Sequence, residues 1–240
     1  MRFIEAKINL FFNPIKENKD IIQDIINKLS DSYNLAFLGD DRYNGAEVPV
    51  DIPRIVGNSK NGHANLNISL NRASIDIFFD NDYVNSAEKC INYIEEKSKE
   101  IYSVINKFFD AKLLFSGITT TVIIDSLDED PIEMIKRNFS NLKSNKELYD
   151  VSSKFTYIVD NNHFVNINIS NARGIEEVVG GLSRKVNHLS VSLDINDRYA
   201  FTEVTNYESN LKDLINNINI TKRMFDNELI KLVKGEELSL

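Results

Sequence analysis

The feature that most constrains the fold of this 240-residue chain is a short internal repeat. Residues 61–69 read NGHANLNIS and residues 161–170 read NNHFVNINIS. Both segments contain an Asn, a His and the core Asn-(Leu/Ile)-Asn-Ile-Ser, with a one-residue offset. A repeated unit fixes the order of elements in both halves of a chain, so the segments on each side of the two copies are expected to correspond.

The segments that precede the two copies have the same pattern. Residues 7–12 form a strand-like run, and residues 20–29 carry apolar side chains at the i, i+3, i+4 and i+7 spacing of an amphipathic helix. Before the second copy, the β-branched run 119–125 is followed by three acidic residues and Pro131 ahead of an apolar-periodic segment. Carboxylates favour the positive end of a helix, and Pro lacks only an N–H that is unpaired there, so a helix is predicted from Pro131.

The segments that follow the two copies also correspond. Residues 74–80 and 189–195 alternate between apolar and polar side chains, as half-buried strands do. Long helices are predicted after them, over 86–107 and 211–232. Each half is therefore predicted to be β-α-β-β-β-α, with a first half over 1–111 and a second over 112–240. The predicted fold class is α+β: an internal duplication with a mainly antiparallel sheet and long helices packed on one face.

This repeated order of elements resembles the duplicated halves of the TATA-box-binding fold and of helix-grip proteins. The resemblance concerns predicted topology alone and rests on no shared sequence motif, so it implies an architecture and carries no function. The acidic charge of the chain argues against transferring the DNA-binding role.

Composition limits the classes of partner. The chain has 28 Lys and Arg against 36 Asp and Glu, a formal net charge of −8, so binding to the phosphates of nucleic acid is not expected. Cys90 is the only cysteine, which excludes an intrachain disulfide and a cysteine zinc site. We expect no secretory leader and no membrane span. The Asn-, Ile- and Lys-rich composition is typical of an AT-rich genome, so a bacterial or phage origin and a cytoplasmic location are expected.

Candidate functional residues lie in the two copies and in two segments interpreted as loops. His63 and His163 occupy matching places in the copies, and imidazoles bind metals or ligands, although a structural role at the start of a strand is favoured. The segment 172–188 was interpreted as an exposed loop in which Arg173, Arg184 and Lys185 could receive an anion. Its glycines and adjacent cations lack the order of a phosphate-binding loop.

The second loop, within 39–57, supplies four interaction candidates that could equally form a solvated turn. These four are Asp40, Asp41, Arg42 and Tyr43. The helix over 86–107 could also support a coiled coil, but packing on the protein's own sheet is favoured. No assembled catalytic group, cofactor motif or metal-ligand cluster is predicted.

Three functions remain open from the sequence. The first is a non-enzymatic cytoplasmic accessory protein that binds another protein, for example in a bacterial defence, toxin-antitoxin or phage-conflict system, with homodimerisation also possible. The second is a sensor that binds an anionic small molecule or nucleotide between the halves, at Arg173, Arg184 and Lys185. The third is a metal-dependent hydrolase or nuclease that uses Asp40, Asp41 and the two matched histidines.

Overall fold

The structure is a computed structural model that describes residues 1–38, 48–109, 111–125, 127–140, 146–178 and 182–240. Its strands are β1 (Arg2–Phe12), β2 (Tyr33–Phe37), β3 (Ile55–Ser59), β4 (Ala64–Ile68), β5 (Arg72–Phe78), β6 (Leu113–Ile124), β7 (Ser152–Val159), β8 (His163–Val178) and β9 (Leu182–Asn196). Its helices are α1 (Lys19–Leu29), α2 (Ala87–Phe108), α3 (Pro131–Phe139), α4 (Arg198–Glu203), α5 (Leu211–Arg223) and α6 (Leu229–Lys234), with one π-helical turn at Met224–Glu228 between α5 and α6.

The strands form one antiparallel sheet in the order β2-β3-β4-β5-β1-β6-β9-β8-β7. Strands β1 and β6 pair with each other at the centre, with Ile8 opposite Ile118. The fold is therefore a mixed α/β fold with a large antiparallel sheet and several helices. The two predicted halves contribute to a continuous sheet. None of the described helices is long and apolar enough to cross a membrane.

One face of the sheet is apolar and buried. In β1 the side chains of Ala6, Ile8 and Leu10 are at most 3% exposed, whereas the intervening Lys7 and Asn9 are partly exposed. This period-two alternation is expected when one face packs against a core and the other faces water. The buried strand residues form a single hydrophobic cluster with buried residues of α1, α2, α3, α5 and α6.

Local sequence signals explain where the helices begin. The Ser86 side chain accepts a hydrogen bond from the Lys89 N–H at the start of α2, and Asp130 accepts one from the Ile132 N–H at the start of α3, with Pro131 as its first residue. These side chains satisfy N–H groups that have no partner within the helix. The helix starts predicted from Ser86 and Pro131 therefore agree with the structure.

Three elements differ from the sequence-based prediction. Strand β2 (Tyr33–Phe37) adds a fourth strand between the helices of the first half, and α4 (Arg198–Glu203) is an additional helix. The segment 172–188, interpreted as an irregular loop, lies largely in the long strands β8 and β9. That interpretation was wrong because a ribbon that buries neither face does not need apolar alternation, the signal on which strand prediction depends.

Candidate functional site

The three histidines lie at separate places in the fold. His63 directly precedes β4, and its Nδ1 lies 3.6 Å from Asp80 Oδ2. His163 opens β8 and is 2% exposed, and burial lowers the pKa of its imidazole. Five strand spacings separate β4 from β8, a path of about 24 Å across the sheet. The two matched histidines therefore do not converge on a shared ligand.

His188 belongs to a network of charged side chains. Its Nε2 lies 3.0 Å from Glu176 Oε1, and its Nδ1 lies 3.5 Å from Asp125 Oδ1. Arg2 donates two hydrogen bonds of 2.7 Å to the Asp125 carboxylate, and Arg184 lies 3.1 Å from Glu176. Hydrogen bonding from Arg2 lowers the pKa of Asp125, and hydrogen bonding from His188 and Arg184 lowers that of Glu176. The network joins the start of β1 and the end of β6 to β8 and β9.

The β8–β9 hairpin extends beyond its neighbours in the sheet. The pairing of β7 with β8 ends at Ser170, and the pairing of β6 with β9 ends at Leu189. Among the residues that the structure describes, 172–178 and 182–188 then pair only with each other. We call these two segments the ribbon. At about 3.3 Å per residue, each strand of the ribbon is about 23 Å long.

The base of the ribbon is anchored on both faces. On one face, Arg2 and Asp125 contact Glu176 and His188 as described above. On the other face, Arg173 Nε donates a 3.1 Å hydrogen bond to the Tyr149 carbonyl, and its guanidinium lies 4.1 Å from the centre of the Tyr149 ring. Asn187 Nδ2 donates a 3.1 Å hydrogen bond to Asp130 Oδ2, next to α3. These contacts fix the direction in which the ribbon leaves the sheet.

Beyond Arg173 and Asn187, the same face of the ribbon exposes a different set of side chains. Ile175 is 71% exposed, the highest fraction among the large hydrophobic residues that the structure describes. It lies directly opposite Lys185, which is exposed and forms no ion pair with the described residues. An isolated two-stranded hairpin is marginally stable in water. The ribbon therefore combines a fixed base with an outer surface that no described residue covers.

The three cations predicted to receive an anion are distributed over both faces of the ribbon. Arg184 and Lys185 are consecutive in β9, so their side chains point to opposite faces of the ribbon. Arg184 pairs with Glu176, while Arg173 stacks on Tyr149. The structure therefore does not bring the three predicted cations together.

Two further predictions concern the four interaction candidates of the 39–57 loop and a possible metal site. The candidates Asp40, Asp41, Arg42 and Tyr43 lie outside the described residues. Within the described ranges, no group of three His, Cys, Asp or Glu side chains is placed to hold a metal ion.

A buried polar cluster centred on Asp197 was not predicted from the sequence. Asp197 is 0% exposed, and its carboxylate accepts hydrogen bonds from the Ser116 N–H at 2.5 Å, the Tyr207 hydroxyl at 2.8 Å and the Ser209 hydroxyl. Burial raises the pKa of Asp197. The cluster connects β6 to the segments on both sides of α4, so we assign it a structural role. Ser116 and Asp197 are 81 positions apart in the chain, and no local pattern in the sequence could have revealed the cluster.

Comparison with known proteins adds no further identification. No protein-family model matches the chain, and no curated protein matches it. The functional conclusion therefore depends on the geometry of this chain.

Proposed function

We propose that the chain is a non-enzymatic binding protein that engages another protein through the β8–β9 ribbon. The observation that carries this proposal is the ribbon itself, which projects past the sheet from an anchored base and presents an exposed Ile175. Single exposed apolar side chains are common on protein surfaces, but Ile175 lies on a two-stranded ribbon whose open edges leave backbone N–H and C=O groups available to a partner strand. Ile175 would enter an apolar pocket on the partner, with Lys185 on the same face of the ribbon near an acidic group at its rim.

The net charge supports a specific class of partner. The chain carries −8 overall, so its long-range field attracts a basic protein and increases the rate of encounter. At short range, the positively charged side chains of the ribbon, Arg173, Arg184 and Lys185, then determine how the two proteins align. We place this activity in the cytoplasm, as an accessory or neutralising subunit of a bacterial defence, toxin-antitoxin or phage-conflict system.

We also propose that the fold arose by duplication of one α+β unit, with the long helices on one face of the sheet. The order of strands supports this, because β5-β4-β3 follow β1 outward on one side and β9-β8-β7 follow β6 on the other. His63 directly precedes β4 and His163 begins β8, so the repeated motif falls on corresponding strands. Strand β2 has no counterpart in the second half and would be a later addition to the first.

The proposal is tested by capture of partners from the native host with the tagged chain at low salt. Three baits are compared: the unchanged chain, Ile175→Asp on the ribbon, and Ile230→Asp on α6, where Ile230 is similarly exposed at 59%. We expect a stoichiometric protein that is retained by Ile230→Asp and lost with Ile175→Asp. Equal recovery with all three baits, or a partner lost only with Ile230→Asp, contradicts the proposal.

The alternative in which the ribbon pairs with a second copy of this chain has its own measurement. Light scattering of the purified chain over a range of concentrations reports the mass directly. A monomer at all concentrations is expected under the proposal. A dimer that Ile175→Asp dissociates would instead assign the ribbon to self-association.

A further inference from the structure

A second site is present on the solvent-facing side of the sheet, away from the ribbon. Residues of strands β7, β8 and β9 and of helix α4 line an open surface pocket of about 450 Å³ there. Its lining includes Lys154 of β7, Phe164 of β8, Asp194 of β9 and Arg198 of α4. The volume is within the range of small-molecule sites, which commonly combine an aromatic wall with a few polar groups.

A fixed carboxylate lies in this pocket. The register of the sheet places Thr156, Asn166 and Asp194 side by side on three adjacent strands. Thr156 Oγ1 donates a 2.8 Å hydrogen bond to Asn166 Oδ1, and Asn166 Nδ2 donates one of 3.1 Å to Asp194 Oδ2. Asn196 Nδ2 lies 3.2 Å from the same oxygen. The Asp194 carboxylate is thus held by two amides and keeps lone pairs that can accept hydrogen bonds from a ligand.

Two cations in the pocket remain available to a ligand. Lys154 and Arg198 are exposed, and neither forms an ion pair with the described residues. The Arg198 guanidinium lies 5.8 Å from the centre of the Phe115 ring. Asp194, the one carboxylate among the described residues of the pocket lining, is already bound by amide groups. An arginine and a lysine that line one pocket and are not bound to a protein carboxylate are suited to a phosphate group.

The pocket also contains an aromatic ring, that of Phe164. Phe164 is partly exposed in the pocket, and the Tyr199 ring packs edge-on against it at 5.3 Å between ring centres. This contact holds the Phe164 ring in position. A planar base stacks readily on such a ring, whereas a free inorganic anion gains nothing from it.

From these groups we propose that the pocket binds a ribonucleoside monophosphate. The base stacks on Phe164, the phosphate lies between Arg198 and Lys154, and the ribose hydroxyls donate hydrogen bonds to Asp194. Two available cations match the charge of one phosphate, and the net charge of −8 disfavours a longer polyanion. The site is separate from the ribbon, so it does not depend on the proposed protein partner.

Isothermal titration of the full chain tests this proposal. The probes are AMP, GMP, CMP and UMP, with inorganic phosphate, the nucleoside and the deoxynucleotide that match each of them, and a ten-residue thymidine oligonucleotide for comparison. We expect at least one ribonucleotide to bind at least about tenfold more tightly than phosphate, its nucleoside or its deoxy form. Arg198→Gln should weaken that binding at least about tenfold and Phe164→Leu at least about fivefold.

The matched control is Lys222→Gln, which removes one exposed positive charge from α5, outside the pocket. It should leave nucleotide binding unchanged, and thermal melts show whether each variant is folded. The proposal is overturned by an absence of ribonucleotide binding at about 5 mM, by phosphate binding as tightly as the nucleotides, or by equal binding to Arg198→Gln. Tighter binding of the oligonucleotide also overturns it, in favour of single-stranded nucleic acid.

Discussion

Replacement of Asp197 by Ala should destabilise the protein by an amount that follows from its hydrogen bonds. The carboxylate is 0% exposed and accepts from the Ser116 N–H, the Ser209 hydroxyl and the Tyr207 hydroxyl. Ser116 and Ser209 are themselves buried, so two donors would be left without this acceptor, at a cost of about 1–3 kcal/mol each. Tyr207 is partly exposed and can turn to water.

A compensating gain reduces this loss. The raised pKa of Asp197 shows that burial disfavours its ionised form, so removal of the carboxylate also removes that penalty. We therefore expect the lower part of the range, a net loss of about 2–3 kcal/mol in the free energy of unfolding at pH 7.

Urea denaturation followed by far-UV circular dichroism measures this free energy. Asp31→Ala is the control, because Asp31 is exposed and its loss should change stability by less than about 0.5 kcal/mol. A loss below about 1 kcal/mol for Asp197→Ala would show that the buried network is not a stabilising connection, and would refute the reasoning.

Four further outcomes are expected. Gly57→Ala should lower the free energy of unfolding, measured by urea denaturation, by about 1–3 kcal/mol, because an added Cβ would lie 2.5 Å from a leucine methyl group on β2. Gly174→Ala should be nearly neutral, because the nearest atom to an added Cβ there lies at 3.6 Å. Lys97 is 5% exposed and lies over two tyrosine rings. Lys97→Ala should therefore lower the free energy of unfolding by about 2–3 kcal/mol. Lys97→Met keeps most of the packing and should lower it by less than about 1 kcal/mol. Cys90 is buried, and burial raises the pKa of its thiol to about 12, so a thiol reagent should modify it at least about a hundredfold more slowly in the native protein than in urea. The pKa of Asp125 is lowered in the folded protein. The ionised carboxylate therefore adds stability above its unfolded pKa of about 3.9, and this stability is lost as pH falls through its folded pKa. Asp125→Asn should accordingly reduce the loss of stability at acid pH in a stability–pH profile.

Elements with strong local signals could be predicted from the sequence. Helix α2 carries its apolar residues at alternate spacings of three and four, and Ser86 marks its start. Strand β9 alternates strictly over residues 189–195. In these segments the spacing of apolar residues matches the positions that are buried in the fold, so the element predicted from the sequence is the one observed.

Other features depend on contacts between distant residues. Strand β2 has only five residues, too few for its alternation to be distinguished from a turn-rich connection. None of the described side chains of the ribbon is fully buried, and Arg173 and Arg184 are positioned by Tyr149 and Glu176 rather than by their neighbours in sequence. The pocket on the open face also forms only when the register places β7, β8 and β9 side by side. No short sequence motif predicts these arrangements.

The most direct test of the ribbon as the binding surface is hydrogen exchange of the chain, free and in complex with the partner that it captures. We predict that partner binding slows exchange of amides in residues 172–178 and 182–188, while amides of α2 and of the central strands β1 and β6 are unchanged. Slowed exchange that is confined to another surface, with the ribbon amides unaffected, would contradict the proposed function.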